Sequence, residues 1–241
     1  MPGYTLKKSS RTLIRNNISK IIIATIIYLF LTTLMSELQV RLLGTLNAYE
    51  RVFQQLNNNL LTDLNSVYSY LRPSGIPFAI VFWILTTVLM AGYKSFSIKI
   101  VRGLNTEYKD LFNGFLYFGK VILIQILISI FVALWSLLLI VPGIIALYRY
   151  RQAIYILLDD PDKSPLQCIN ESKELMRGKK LDMFLLDLSF LGWVLLDYIV
   201  MIYLPLPFSL PLISVYLTPY TELTYAAYYD RLIGRGEPYA I

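Results

Sequence analysis

Residues 137–162, LLLIVPGIIALYRYRQAIYILLDDPD, contain the turn on which the predicted fold depends. One apolar run closes, the chain turns at Val141-Pro142-Gly143, and a second run opens with proline in the first turn of a helix, where its missing amide costs nothing. The second run carries Arg149 and Arg151, which are costly inside a hydrophobic segment. The stretch predicts a helical hairpin in a membrane. The surroundings of its two arginines decide whether they have a structural or a functional role.

The composition is that of a membrane protein. Of the 241 residues, 56% are hydrophobic and 16% charged, and the apolar residues fall in six long runs rather than at the spacing of a half-buried helix or strand. We predict an all-α, polytopic membrane bundle of six transmembrane helices arranged as three hairpins. The predicted spans are residues 18–35, 76–92, 121–140, 143–158, 181–204 and 212–229.

Basic residues predict the orientation of these spans. Seventeen of the 22 Lys and Arg residues lie before or at the start of the first span, between the second and third, between the fourth and fifth, or after the sixth. Because Lys and Arg accumulate in cytoplasmic loops, both termini are predicted to be cytoplasmic in a multi-pass protein of the cell membrane. The same distribution accounts for the net charge of +6 without a nucleic-acid partner.

Two polar segments flank the first span. Residues 1–17 form a basic cytoplasmic N-terminus ahead of a single membrane domain, residues 18–241. Residues 38–74, on the extracellular side, carry apolar residues at steps of three and four, which is typical of an amphipathic helix. We expect this helix either to lie on the membrane surface or to bind a protein partner through residues 45–70.

A short cytoplasmic helix is predicted over residues 164–178. Ser164 and Gln167 form a capping-box pattern at its start, and Gly178 is placed to end it. Bases on this helix and just after it are expected either to contact anionic lipid headgroups or only to set the orientation of the chain. They are Lys173, Arg177, Lys179 and Lys180.

Charged residues inside the predicted spans are the candidates for function, because each is costly in hydrocarbon. Counting about 1.5 Å per helical residue, arginine side chains can bridge the differences in depth between Arg149, Arg151, Asp187 and Glu222. We hypothesise that Arg149 or Arg151 pairs with Asp187 and Glu222 inside the bundle. Such a cluster is either a structural ion pair or part of a substrate or proton path. Alternatively, the arginines extend their side chains to the membrane surface.

The sequence offers little for catalysis or cofactor binding. The lone Cys168 excludes an internal disulfide, and the absence of histidine argues against a zinc or haem site, so no cofactor is expected. Phosphate-binding glycine loops and nucleophile motifs are not present either. We therefore expect a protein that is not an enzyme.

A set of motifs over residues 95–232 resembles one family: Arg102-Gly103, LWSLLLIVPGIIALYRY (134–150), Asp160-Pro161-Asp162, LDLSFLGW (186–193) and Pro219-Tyr220. It is an uncharacterised integral-membrane family of Gram-positive bacteria, a domain of unknown function. The family is distantly similar in layout to the membrane domain of some glycerophosphodiester phosphodiesterases. The resemblance implies a polytopic bacterial membrane protein and carries over no activity.

These patterns favour a non-enzymatic membrane protein of the bacterial cell envelope with an accessory or partner-binding role. The same patterns allow two alternative functions. One is a transporter or channel whose polar path passes the four charged residues of the spans. The other is a protein that binds or processes lipid headgroups at the cytoplasmic face.

Overall fold

The computed structural model describes residues 2–43, 75–203 and 213–235, and within these ranges the chain is helical, as the sequence predicted, with no strand. The predicted partner segment, residues 45–70, lies outside the described residues. A 3₁₀ helix covers Tyr108–Tyr117. The α-helices are α1 (Pro2–Asn16), α2 (Ile18–Leu43), α3 (Ile76–Val101), α4 (Phe118–Leu138), α5 (Ile140–Tyr150), α6 (Ala153–Asp159), α7 (Pro165–Leu175), α8 (Lys180–Tyr203) and α9 (Ser214–Leu232).

In the described part of the chain, four helical segments are long and apolar enough to cross a membrane, which indicates a membrane protein. They are α2, α3, α4 with the 3₁₀ helix before it, and α8, and they correspond to the predicted first, second, third and fifth spans. The predicted fourth span is divided between α5 and α6, and the sixth corresponds to α9, which is rich in tyrosine and threonine. Six spans and the cytoplasmic placement of both termini stay predictions.

Helix α3 is longer than predicted. It begins with Pro77 in its first turn, as expected, but continues past Gly92 to Val101, so the predicted boundary at residue 92 is wrong. The extension is stable because its apolar side chains enter the core: Tyr93, Phe96, Ile98 and Ile100 are all buried. Gly103, with φ of 66°, then reverses the chain in a conformation that favours glycine.

The 3₁₀ helix Tyr108–Tyr117 folds back along α3 at very short range. A Cβ atom at Gly114 would lie 2.0 Å from the carbonyl oxygen of Val88, and one at Gly92 would lie 1.8 Å from that of Leu111. Only glycine permits this approach of two backbones. The chain therefore returns into the bundle alongside α3 before α4 begins.

Helices α4 and α5 form the predicted hairpin, but its turn differs from the prediction. The single residue Leu139, with extended backbone (φ −163°, ψ 152°), connects the two helices, and Pro142 and Gly143 already belong to the first turn of α5. A Cβ atom at Gly143 would lie 2.0 Å from Ser136 Oγ. Glycine therefore lets the two helices meet closely directly after the turn.

The predicted fourth span is interrupted at Arg151 and Gln152, between α5 and α6. The interruption frees backbone groups that a continuous helix would pair. Ser172 of α7 replaces the missing bonds, because its hydroxyl donates to the Arg149 carbonyl oxygen at 2.9 Å and accepts from the Gln152 amide at 3.1 Å. The Ser172 side chain is fully buried.

Helix α7 begins at the predicted capping box. The Gln167 amide donates to Ser164 Oγ at 3.3 Å, and the Ser164 amide donates to Gln167 Oε1 at 2.8 Å, so this prediction is confirmed. The helix ends at Leu175, and Gly178, with φ of 72°, lies in the turn that follows. The buried face of α7 carries Ser172 to the interrupted helix.

The predicted basic N-terminus forms helix α1, which packs against α8 and α9. Lys7 Nζ donates to the Ser189 carbonyl oxygen at 3.2 Å, and Arg11 Nε donates to the Tyr220 hydroxyl at 3.1 Å. The N-terminal segment thus packs on the helix bundle. Its cytoplasmic placement stays a prediction.

Candidate functional site

Polar side chains from α3, α5, α6, α8 and α9 meet beside the interruption of the fourth predicted span. We call this group the central cluster. Two cations and two carboxylates balance its formal charge, and tyrosines surround them. Its members are Lys94, Tyr148, Arg151, Tyr155, Asp187, Glu222 and Tyr225.

One half of the central cluster is the ion pair of Arg151 with Asp187. Arg151 Nη1 donates to Asp187 Oδ2, and the Tyr148 hydroxyl donates to the same oxygen at 3.0 Å. The guanidinium also lies over the Tyr225 ring, 4.4 Å from its centroid. An arginine that would be costly alone therefore has a carboxylate and an aromatic face as partners.

The other half is the pair of Lys94 with Glu222. Lys94 Nζ lies 3.2 Å from Glu222 Oε2, and the Tyr155 hydroxyl donates to the same oxygen at 3.3 Å. The ammonium also lies 4.7 Å from the centroid of the Tyr155 ring. Glu222 thus pairs with a lysine of α3, and not with Arg149 or Arg151, the partners proposed from the sequence.

Arg149 is not a member of this cluster, which corrects the predicted set. Residues two apart on a helix point about 200° apart, so Arg149 and Arg151 face opposite sides of α5. The Arg149 guanidinium lies 5.8 Å from the Trp135 ring centroid. Its Nε atom is buried and has no hydrogen-bond partner among the described residues.

Lys94 is not in the predicted set, because a second span that ends at Gly92 places Lys94 in a loop, whereas α3 continues to Val101. A signal was present: buried-type residues continue beyond Gly92 at helical spacing as Tyr93, Phe96 and Ile100. Extending the helix by these positions would have placed Lys94 within the bundle.

A second group, the Arg102 cluster, joins the ends of α3, α6 and α9. The Arg102 guanidinium contacts Asp159 at 2.5 Å and Asp230 at 2.6 Å, and the Tyr229 hydroxyl donates to Asp159 at 2.9 Å. Burial alone would lower the pKa of Arg102, but its hydrogen bonds to Asp159 and Asp230 raise that pKa above the ordinary value. Arg102 therefore remains cationic at every physiological pH.

The two clusters contact each other through stacked tyrosines. The Tyr155 and Tyr229 rings have centroids 5.2 Å apart and are inclined by only 17°. Tyr155 bonds to Glu222 in the central cluster, and Tyr229 bonds to Asp159 in the Arg102 cluster. Polar groups thus extend from the interior of the bundle to its Arg102 end.

A cleft of about 490 Å³ opens between α2, α8 and α9 at the opposite end. Asp197 lies in it and accepts hydrogen bonds from the Ile213 amide at 3.1 Å and from the Ser214 hydroxyl. Asp197 therefore caps the start of α9, where a carboxylate stabilises the unpaired amides. Hydroxyls and a second carboxylate also line the cleft: Thr32, Thr33, Ser36 and Glu37.

The four bases predicted to contact anionic lipid do not share one environment. Lys173 and Lys179 are exposed, and Lys180 is half-buried. Arg177, in the turn after α7, pairs with Glu174 of that helix at 2.8 Å. Lys173 also lines a cleft of about 940 Å³ at the Arg102 end, beside Asp159 and Tyr229. Lipid contact by these bases stays a prediction.

The part of the chain that holds Arg151, Asp187 and Glu222 is similar to a known family. Residues 137–236 match the model of "Protein of unknown function (DUF975)". This DUF975 region covers less than half of the chain, and Lys94 and Arg102 lie outside it. None of the curated proteins and none of the solved structures matches the chain.

Proposed function

We propose that the protein is a membrane transport protein that passes protons through the central cluster. The observation that supports this is the pairing of two carboxylates inside the bundle, each with one cation and a tyrosine hydroxyl. Ionisable residues inside membrane spans are rare and pair with one another, and chains of carboxylates form proton relays in pumps and transporters. Asp187 and Glu222 would bind and release the proton.

Toward the Arg102 end, the proposed path follows hydrogen-bonding side chains. From Glu222 it passes Tyr155 and Tyr229 to Asp159, which lines the large cleft at that end. Glu222 precedes Asp230 by eight residues of α9, about 12 Å along the helix axis. The relay would therefore cover roughly the inner half of a bilayer.

Toward the other end, the path follows the hydroxyl-rich side of α2. Thr25 Oγ1 lies 2.7 Å from the Tyr93 hydroxyl, and the Tyr93 ring stacks on Tyr28 at 4.6 Å. Further along α2, Thr32 and Ser36 line the cleft that also contains Asp197. Polar groups thus occur at intervals from one cleft to the other.

Close packing is the reason to propose a proton rather than a larger solute. Tyr155 is 1% exposed, Tyr93 2% and Thr25 0%, so these side chains leave no open channel between them. A proton needs only hydrogen-bonding groups that can reorient, whereas a solute needs space. The packed relay therefore suits proton transfer.

The test is proton flux into liposomes that contain the purified protein. A potassium gradient with valinomycin imposes the driving potential, and a pH-sensitive dye inside reports the flux. We expect flux with the unaltered protein and its loss in Glu222→Gln, which keeps the shape of the side chain but cannot exchange the proton. Glu174→Gln, on the exposed face of α7, is the matched control and should keep the flux.

Equal flux in protein-free liposomes, or unchanged flux in a folded Glu222→Gln variant, would contradict the proposal. The central cluster would then be a structural ion network.

We also propose a setting in the bacterial cell membrane, with both termini in the cytoplasm. The support is the distribution of basic residues and the match of the DUF975 region to an uncharacterised family. Six spans are part of this proposal, with α5 and α6 together as the fourth and α9 as the sixth. An accessory role in the cell envelope is compatible with proton transport.

A further inference from the structure

Arg149 stands apart from the proton path and is half-buried at the surface of the bundle, with its Nε atom buried. Among the described residues, its guanidinium has the Trp135 ring as its partner and no carboxylate. Large apolar residues beside it are exposed: Ile145, one turn earlier on the same face of α5, and Leu134, next to Trp135 in α4. In a membrane such a surface contacts lipid, so Arg149 presents a positive charge to hydrocarbon or to headgroups.

The geometry of α5 determines whether the Arg149 guanidinium lies in hydrocarbon or among the lipid headgroups. Side chains on a helix tilt toward its N-terminus, and the N-terminus of α5 is the turn at Leu139. Arg149 accordingly extends toward Trp135, which precedes that turn by four residues, about 6 Å. The charge is thus directed toward the Leu139 end of the hairpin.

The length of α4 places this end near a membrane surface. Lys120, at the start of α4, donates to the Pro161 carbonyl oxygen at 2.5 Å in the connection after α6. Trp135 lies fifteen residues further, about 22 Å along α4, in a hydrocarbon core about 30 Å thick. Tryptophan is enriched at the interface between the hydrocarbon core and the headgroups, and an arginine side chain at that depth reaches the lipid phosphates.

We propose that Arg149 and Trp135 form a binding site for the phosphate of an anionic phospholipid in the leaflet at the Leu139 end. The guanidinium offers a planar set of N–H donors that fits two phosphate oxygens, and the indole ring supports the other face of the cation. The acyl chains would lie along the exposed aliphatic residues of α4 and α5. This site does not depend on the proton path.

The test uses the fluorescence of Trp135 alone. The chain has three tryptophans, and Trp83→Phe with Trp193→Phe leaves Trp135 as the only one. The protein is placed in phosphatidylcholine vesicles that contain a small fraction of brominated phosphatidylglycerol or, for comparison, brominated phosphatidylcholine. Bromine quenches tryptophan at short range, so the ratio of the two quenching constants measures anionic lipid beside Trp135.

We expect about fivefold enrichment of phosphatidylglycerol over the bulk, the effect of one basic residue at a charged interface. Arg149→Gln should remove the enrichment. Arg149→Lys, which keeps the charge but loses the planar guanidinium, should give an intermediate enrichment and shows that the fold tolerates substitution. Lys109→Gln, at an exposed position of the 3₁₀ helix, is the matched control and should change nothing.

Three outcomes would overturn the proposal. They are no enrichment in the unaltered protein, the same enrichment in Arg149→Gln, and loss of enrichment when inorganic phosphate is added. The last result would indicate a site for a free anion from water instead of a lipid.

Discussion

Two arginines two residues apart show how position on a helix determines the cost of a charge. Arg151 faces inward and has Asp187, Tyr148 and Tyr225 as partners, whereas Arg149 faces outward and has Trp135. A buried ion pair contributes little compared with apolar packing, but the loss of one partner leaves an uncompensated charge. The Arg151–Asp187 pair should therefore show this asymmetry when its members are replaced.

Replacement of Asp187 by Leu should lower the free energy of unfolding by about 3 kcal/mol, because Arg151 loses its carboxylate inside the bundle. The double variant Arg151→Leu with Asp187→Leu should lose less than the single one. Equilibrium unfolding in mixed micelles measures both. The exposed pair Glu174 and Arg177, replaced in the same way, should change stability by less than about 1 kcal/mol. A double variant less stable than Asp187→Leu would contradict this account.

At the scale of elements, the interrupted span depends on a single hydroxyl from another helix. Ser172 supplies both a donor and an acceptor to the backbone between α5 and α6. Interrupted helices in membranes are tolerated where neighbouring side chains pair the freed backbone groups. The interruption also leaves Arg151 at the end of α5, where it reaches Asp187.

Ser172→Ala should therefore destabilise the protein by about 2–4 kcal/mol, since two buried backbone groups lose their partner. Ser129→Ala is the control, because the Ser129 hydroxyl is exposed and donates to the carbonyl oxygen of Gln125 in its own helix. The melting temperature in detergent reports the difference. Equal melting temperatures for the two variants would show that Ser172 does not support the interruption.

Helix starts could be predicted from the sequence, and helix ends and interruptions could not. Pro77, Pro142 and Ser164 carry local signals, and each lies at the start of a helix. By contrast, α3 passes Gly92 because the backbone at Leu111 packs on that glycine, a contact between segments distant in sequence. The spacing of Tyr93, Phe96 and Ile100 is a local signal for this extension. The partner of Lys94 could not be predicted, because Glu222 lies 128 residues further along the chain.

At the scale of the whole molecule, the predicted orientation can be tested with the single native thiol. Cys168 is fully buried, and burial, with a smaller contribution from Glu171, raises its pKa to about 11. Because the folded pKa lies above the ordinary thiol value, the neutral form predominates below about pH 11, and reactivity would rise only as pH approaches that value. The native protein should therefore give almost no background with maleimide at pH 7.

Single cysteines introduced into the native chain then show on which side of the membrane each position lies. Lys173→Cys, on the exposed face of α7, should react with a membrane-impermeant maleimide only after cells are permeabilised. Asn58→Cys, in the segment predicted to be extracellular, should react in intact cells. Labelling of Lys173→Cys in intact cells would show that this residue lies outside and that the predicted orientation is wrong.

The Arg102 cluster has a consequence for where this polypeptide can be divided. Asp159 and Asp230 belong to the DUF975 region, but the guanidinium that they share comes from α3, outside it. A fragment cut at the borders of the sequence match would separate these acids from Arg102, and Glu222 from Lys94. The region that matches the family model is thus smaller than the segment needed to keep these ion pairs together.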